Sequence, residues 1–188
     1  MLEIHVKAGP KKEIWDPKNQ TFINIGKLDK DYDLSLEHSL ISISLWESKW
    51  HVPFISKDAH TEEQTIHYIK CMTINKNVPD VVYDHMTLED VKKISEYIHD
   101  PMSATTITHY GEDNKRSRQI ITSEVIYGWM VGLQIPWEAQ KWHLNRLLKL
   151  IEVCNAQNTP PKKMSSKDVI KRNRELNAAR RAKYNSKG

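Results

Sequence analysis

Cysteine is scarce in this chain: Cys71 and Cys154 are the only two in 188 residues, and they stand in no ligand spacing. A disulfide framework and a zinc ribbon are thereby excluded, and two free thiols packed as small hydrophobes suit a reducing compartment. The length is enough to bury a core without such staples. Glycine is scarce too. Six occur, none in a Walker loop or a Gly-x-Gly-x-x-Gly turn, so a phosphate-cradling nucleotide site is not expected. His-Glu-x-x-His and Gly-x-Ser-x-Gly are also missing. The longest apolar run, "VIYGWMVGL" at 125–133, has nine residues and is too short for a bilayer, so it reads as a core helix. The opening "MLEIHVKAGPKKEIWD" lacks a charged segment followed by an apolar one, so no signal peptide is expected.

Histidine is plentiful, with nine, but the positions show no recurrent pairing three or four apart on a helix. Scattered surface histidines are expected, and no metal or cofactor. His67 and Cys71 are four apart, without a third catalytic member or an oxyanion device, so no nucleophile is assigned. With no catalytic constellation, the sequence reads as a binding protein and not an enzyme.

Charge is unevenly placed. Residues 160–188 hold ten Lys/Arg against two acids, a net +8, while residues 1–159 hold 18 against 22, a net −4. A mildly acidic body therefore precedes a strongly basic tail, and such a tail suits contact with something acidic.

Alternation in "LEIHV" and in "EIWDPKNQTFINIG", around an Asp-Pro-Lys-Asn turn, predicts three short N-terminal strands. "LSLEHSLISISLWESKW" fits either period, and its length without Gly or Pro favours a helix with Leu40, Ile43, Trp46 and Trp50 on one face. Thr61 with Gln64, and Thr87 with Asp90, read as capping boxes opening two short amphipathic helices. The β-branched runs of "MSATTITHYGEDNKRSRQIIT" flank a polar loop and predict a hairpin.

"WEAQKWHLNRLLKLIEVCN" reads as one long helix with a narrow polar stripe, Glu138, Lys141, Asn145, Lys149 and Glu152. With the 125–133 helix it should form a core hairpin. His143 and Arg146, on its apolar side, read as a satisfied core histidine and a snorkelling or salt-bridged arginine. Pro160-Pro161 then forms a stiff linker, and Ser165 or Ser166 caps a last helix.

In that last helix Val169, Ile170, Leu176 and Tyr184 fall within roughly a third of a turn, a strip too thin to hold it on its own domain. Three readings apply: a solvated tail, a docking arm for an acidic protein surface, and a nucleic-acid arm. The last is the weakest, because no aromatic stacking platform accompanies the charge. The residues assigned to partner binding are Arg172, Arg174, Leu176, Arg180 and Arg181, with Trp46 and Trp50 as a candidate aromatic patch. Core packing is the competing role for the two tryptophans. The expected fold is α+β: a body of residues 1–159, with a β-rich N-terminal part and a hairpin on a helical core, and a linker and basic helical arm of residues 160–188.

Several stretches, "LEHSLISISLWESKWHVPFIS", "IKCMTI", "PMSATT", "IPWEAQKWHLNRLLKLIEVCN" and "PPKKMSSKDVIKRNRELNAARRAKYNSKG", together resemble tail-morphogenesis proteins of tailed bacteriophages, often assigned as tail assembly chaperones. The resemblance runs from about residue 34 onward and rests on overall wording, not on a catalytic signature. It implies a protein that binds the tape measure protein or tail subunits in the host cytoplasm, or a structural protein of the virion, at the head–tail junction or along the tail. Self-association fits either role, and membrane insertion fits neither.

Overall fold

The computed structural model describes residues 1–16, 20–56, 59–106, 120–158 and 166–184. Its architecture is α+β, with short antiparallel strand pairs and a majority of helix. The chain divides into two compact units, Met1–Asn155 and Ala156–Gly188.

Four strands come first: β1 (Leu2–Val6), β2 (Lys12–Asp16), β3 (Thr21–Ile25) and β4 (Tyr32–Leu36). β1 pairs antiparallel with β4, Ile4 opposite Leu34, and β2 with β3, Ile14 opposite Ile23. The alternation in "LEIHV" has a direct outcome, since Ile4 and Val6 are buried while Glu3 and His5 are exposed. Leu34 and Leu36 bury the matching face of β4. The outer edge of β4 is covered by the chain after Met72: the Ile74 amide donates to the Ser35 carbonyl at 2.8 Å and the Glu37 amide to that of Met72 at 2.9 Å.

The segment read as one helix from Leu34 is therefore split. Its first residues are claimed by pairing with β1, and α1 (Leu40–Trp50) begins only after the Ser39 cap. From there the helical face is as expected: Leu40, Ile43 and Trp46 are fully buried and Trp50 packs at the rim of the core. Among the described residues every closely packed pair of helical elements involves α1, which lies against α2 (Glu62–Met72), α5 (Ser123–Gly132) and a 3-10 turn at Trp137–Lys141. α3 (Val81–Asp84) and α4 (Leu88–His99) complete the front of the unit. Both capping boxes form: Thr61 Oγ1 receives the Gln64 amide while Gln64 Oε1 receives that of Thr61, and Thr87 and Asp90 do the same.

The long helix expected from Trp137 is interrupted. After the 3-10 turn, Trp142 adopts an extended conformation, and α6 (Leu144–Asn158) starts beyond it. The cause is a bridge between Ser39 and His143, in which the Leu144 amide donates to the His38 carbonyl at 2.7 Å and so leaves the helical ladder. In place of the core hairpin expected between the 125–133 helix and this one, α5 lies against α1. The hairpin expected over 102–122 falls mostly on residues 107–119, outside the described residues, as does the double proline. No helix among the described residues is long and apolar enough to cross a membrane.

Candidate functional site

α7 (Ser166–Tyr184) carries the arm residues singled out by sequence. Ala178, Ala179, Ala182 and the unbranched Leu, Lys and Arg side chains favour helix intrinsically, so this segment needs little packing to form. Every described side chain from Val169 to Tyr184 is exposed, including those of Arg172, Arg174, Arg180 and Arg181. The thin apolar strip is exposed as well: Ile170, Leu176 and Tyr184 keep 52%, 45% and 71% of their surface. Basic side chains surround the strip, and the Lys183 ammonium lies 5.7 Å from the centre of the Tyr184 ring.

The two tryptophans part company. Trp46 has no accessible surface, and its indole N–H donates to the Gln64 carbonyl at 2.9 Å. It is a core residue and has no face to offer a partner, which corrects its assignment to a binding patch. Trp50 remains partly exposed; its indole N–H reaches His67 Nδ1 at 3.3 Å, and the Lys49 ammonium sits 5.2 Å from its ring. The arm and Trp50 are thus the assigned residues with surface to offer, and they belong to different units.

Around Trp46 lies an aromatic cluster of Trp50, Phe54, His60, Tyr68 and His38. One side of it opens into a mostly apolar cavity of about 360 Å³ between α2 and α4, lined among others by Phe54, His60, Ile69, Ile94, Ile98 and His99. Its polar contributions come from hydroxyls and imidazoles, several of them committed to local bonds, as His99 Nδ1 is to the Ser95 carbonyl at 2.7 Å. No group of three metal-ligating side chains occurs among the described residues.

His67 and Cys71 do meet, with Sγ 3.6 Å from Nδ1. The geometry does not activate sulfur. The same nitrogen already receives the Trp50 indole proton, and burial pushes the Cys71 thiol pKa up and the His67 pKa down. A thiol in that setting stays protonated at neutral pH.

Several side chains anchor the body in ways that sequence reasoning did not specify. His143 is buried as expected, but it is the N-terminal cap of α6: its Nδ1 receives the Asn145 amide at 3.3 Å and its Nε2–H donates to the Tyr97 carbonyl at 2.9 Å. Arg146 lies over the Trp142 ring at 4.7 Å. Asn145, assigned to a solvent stripe, turns its amide on the carbonyls of Ile98 at 3.0 Å and Asp100 at 2.7 Å, which closes the end of α4. Glu47 is buried on α1 and accepts the Phe54 amide on Oε1 and the Ser123 amide on Oε2, each at 2.8 Å. Ser123 begins α5, so this carboxylate also meets the positive end of a helix. His38 is buried against Phe54, Tyr68 and His143, with Nδ1 hydrogen-bonded to the Tyr68 hydroxyl. Burial, then the nearby His143 and His99, lowers its pKa to about 3. Only Glu47 left a readable sign, as an acid inside the apolar face of its helix.

Comparison of the chain with protein-family models, curated proteins and solved structures finds no match.

Proposed function

We propose that this is a non-enzymatic assembly protein of the tailed-phage type, in which the basic arm grips an acidic surface on a tail protein. The observation that carries the reading is α7: a 19-residue helix whose described side chains from Val169 onward are all exposed, apolar ones included. A helix with so little cover gains its stability from composition, and gains more when a partner buries its strip. The charge of +8 over residues 160–188 favours an acidic partner. The cations assigned to the grip are the four arginines of a segment that also holds six lysines, because the planar guanidinium fork suits bidentate pairing with carboxylates. Each exposed pair is worth only about 0–1 kcal/mol, so capture needs several together with the apolar strip. The resemblance to tail-morphogenesis proteins supplies the partner class, the tape measure protein or a tail subunit.

The test replaces Arg172, Arg174, Arg180 and Arg181 with Glu in the full chain. Capture of the co-expressed tape measure or tube protein should be lost, while the melting temperature stays within about 2 °C. Retained capture refutes the role of the arm. Binding to RNA instead, with a steep salt dependence and no protein captured, refutes the class of partner. Mass spectrometry of purified particles then separates the two assembly roles. A chaperone is absent from them, and a structural protein is present in stoichiometric amount.

A further inference from the structure

Among the described residues of 1–36, two antiparallel strand pairs and a bridge between them form a two-stranded ribbon. β1 and β4 form its base, Gly9 and Leu28 exchange backbone bonds of 3.1 and 2.9 Å in its middle, and β2 and β3 form its outer half. The base belongs to the core through Ile4, Val6, Leu28, Leu34 and Leu36. The ribbon leaves the body where it passes α3. There the His85 Nε2–H donates to the Gly26 carbonyl at 2.8 Å, and a Cβ on Gly9 would lie 2.7 Å from His85 Nδ1, so a larger residue would have to push that ring aside.

Beyond that point the cover ends. Trp15, Phe22 and Ile23 keep 49%, 63% and 50% of their surface, and in β3 only Ile25 is buried. Trp15 faces Phe22 across the ribbon, ring centres 4.9 Å apart. Two strands alone are at best marginal in water, and a bare strand edge recruits another strand. Among the described residues β2 pairs with β3 and with nothing else.

The sequence of β2, Lys-Glu-Ile-Trp-Asp, identifies the occupant. Laid antiparallel on itself about Ile14, it places Lys12 opposite Asp16 twice, Glu13 opposite Trp15 twice, and Ile14 opposite Ile14. Opposed unlike charges stabilise a sheet, and opposed like charges destabilise it. Moving the register by two residues one way opposes Glu13 to Glu13, and the other way sets Asp16 against Ile14. A slip by one exchanges the faces. β3, Thr-Phe-Ile-Asn-Ile, has no charge with which to set a register.

We propose that this ribbon is a self-association element: the β2 strands of two copies of the chain pair antiparallel about a twofold axis at Ile14, giving a four-stranded sheet in the order β3-β2-β2-β3. The register Ile23–Ile14 of one copy then continues into Ile14–Ile23 of the other, and four strands meet the size at which a sheet holds in water. This surface is independent of the arm, and so is its test.

Sedimentation of the full chain at tens of micromolar should give a dimer. Lys12→Asp opposes Asp to Asp at both ends and Asp16→Lys opposes Lys to Lys, so each variant alone should dissociate about tenfold more readily. Mixed in equal amounts, the two restore both unlike pairs and should recover a heterodimer, which also shows that each is folded. In a chain with Cys71 and Cys154 replaced by Ala, Ile14→Cys should oxidise to a covalent dimer, since opposed Cα atoms about 4.5–5.5 Å apart accept a disulfide. Glu13→Cys, opposite Trp15, should not. A monomeric wild-type chain, charge variants that associate like the wild type, or equal cross-linking through both cysteines would overturn the proposal.

Discussion

Acidification from pH 7 to 5 should destabilise the first unit through His38. The ring is buried, and its pKa in the fold is about 3 against 6.5 for a free histidine. Above pH 6.5 the side chain is neutral whether the chain is folded or unfolded, and its contribution is fully present. Below that value the unfolded chain takes up a proton that the folded chain refuses, so stability falls until the folded pKa is reached. Each pH unit inside that window costs about 1.4 kcal/mol, hence about 2 kcal/mol between pH 6.5 and 5. His67, also lowered by burial, acts in the same direction. His5 acts the other way: hydrogen bonding to Asp33 raises its pKa, so its contribution is present at low pH and is lost as pH rises through the raised value. That ring is half exposed at the surface and its effect is screened. Asp80 and Glu124, whose pKa values are lowered, lose their contributions only below the ordinary carboxylate range. The interval from pH 6.5 to 5 is therefore mostly a histidine window. Urea unfolding of the full chain, followed by its intrinsic tryptophan fluorescence, measures it. His38→Gln keeps a neutral hydrogen-bonding group beside Tyr68 and should lower stability at pH 7 but remove most of the slope. A wild-type stability that stays level from pH 6.5 to 5, or an unchanged slope in His38→Gln, would refute the reasoning.

Two further substitutions probe the joints of the same unit. Glu47→Gln leaves one acceptor where two amides, of Phe54 and Ser123, need partners, and should cost on the order of 2 kcal/mol at pH 7 in the same urea assay. Loss of the near-ultraviolet signal of the aromatic cluster should accompany it. Trp46→Ala removes a fully buried ring and should cost about 3–5 kcal/mol, whereas Trp50→Ala, at the rim, should cost clearly less in parallel melts.

Local signals were readable where one side chain satisfies its own neighbourhood. Thr61 and Gln64 close a cap within four residues, so the boundary of α2 needs no tertiary information. The same holds for the periodicity of Leu40, Ile43 and Trp46. What the letters did not reveal depends on distant partners. The strand at Tyr32–Leu36 exists because β1 pairs with it, and its alternation also fits a helix that simply starts earlier. The break at Trp142 comes from a bridge to Ser39, about a hundred residues away in sequence. His143 and Asn145 looked like members of helical faces because a residue inside a helix and one capping it differ only in where the backbone turns. Of the residues assigned to binding, the arm arginines were legible from charge alone, while Trp46 could not be told from Trp50 without the packing of α2 against α1.

The outer strands of the ribbon and the arm carry exposed apolar side chains, as the body does at Leu45, Ile74, Leu88, Val131 and Trp137, but among the described residues they lack the buried polar anchors that join the body's helices. In the body, polar anchors such as Glu47, His143 and Asn145 join α1, α4, α5 and α6 at buried or half-buried hydrogen bonds, so a change there propagates through several elements. At Trp15, Phe22 and along α7, side chains with substantial apolar surface remain exposed and contribute little to the fold that carries them. Selection for stability alone would replace those side chains with polar ones at almost no cost. Polar replacements at these positions therefore test association and not the fold. It follows that ribbon and arm substitutions should alter association while leaving urea midpoints nearly fixed, and that Glu47 or Trp46 substitutions should do the reverse.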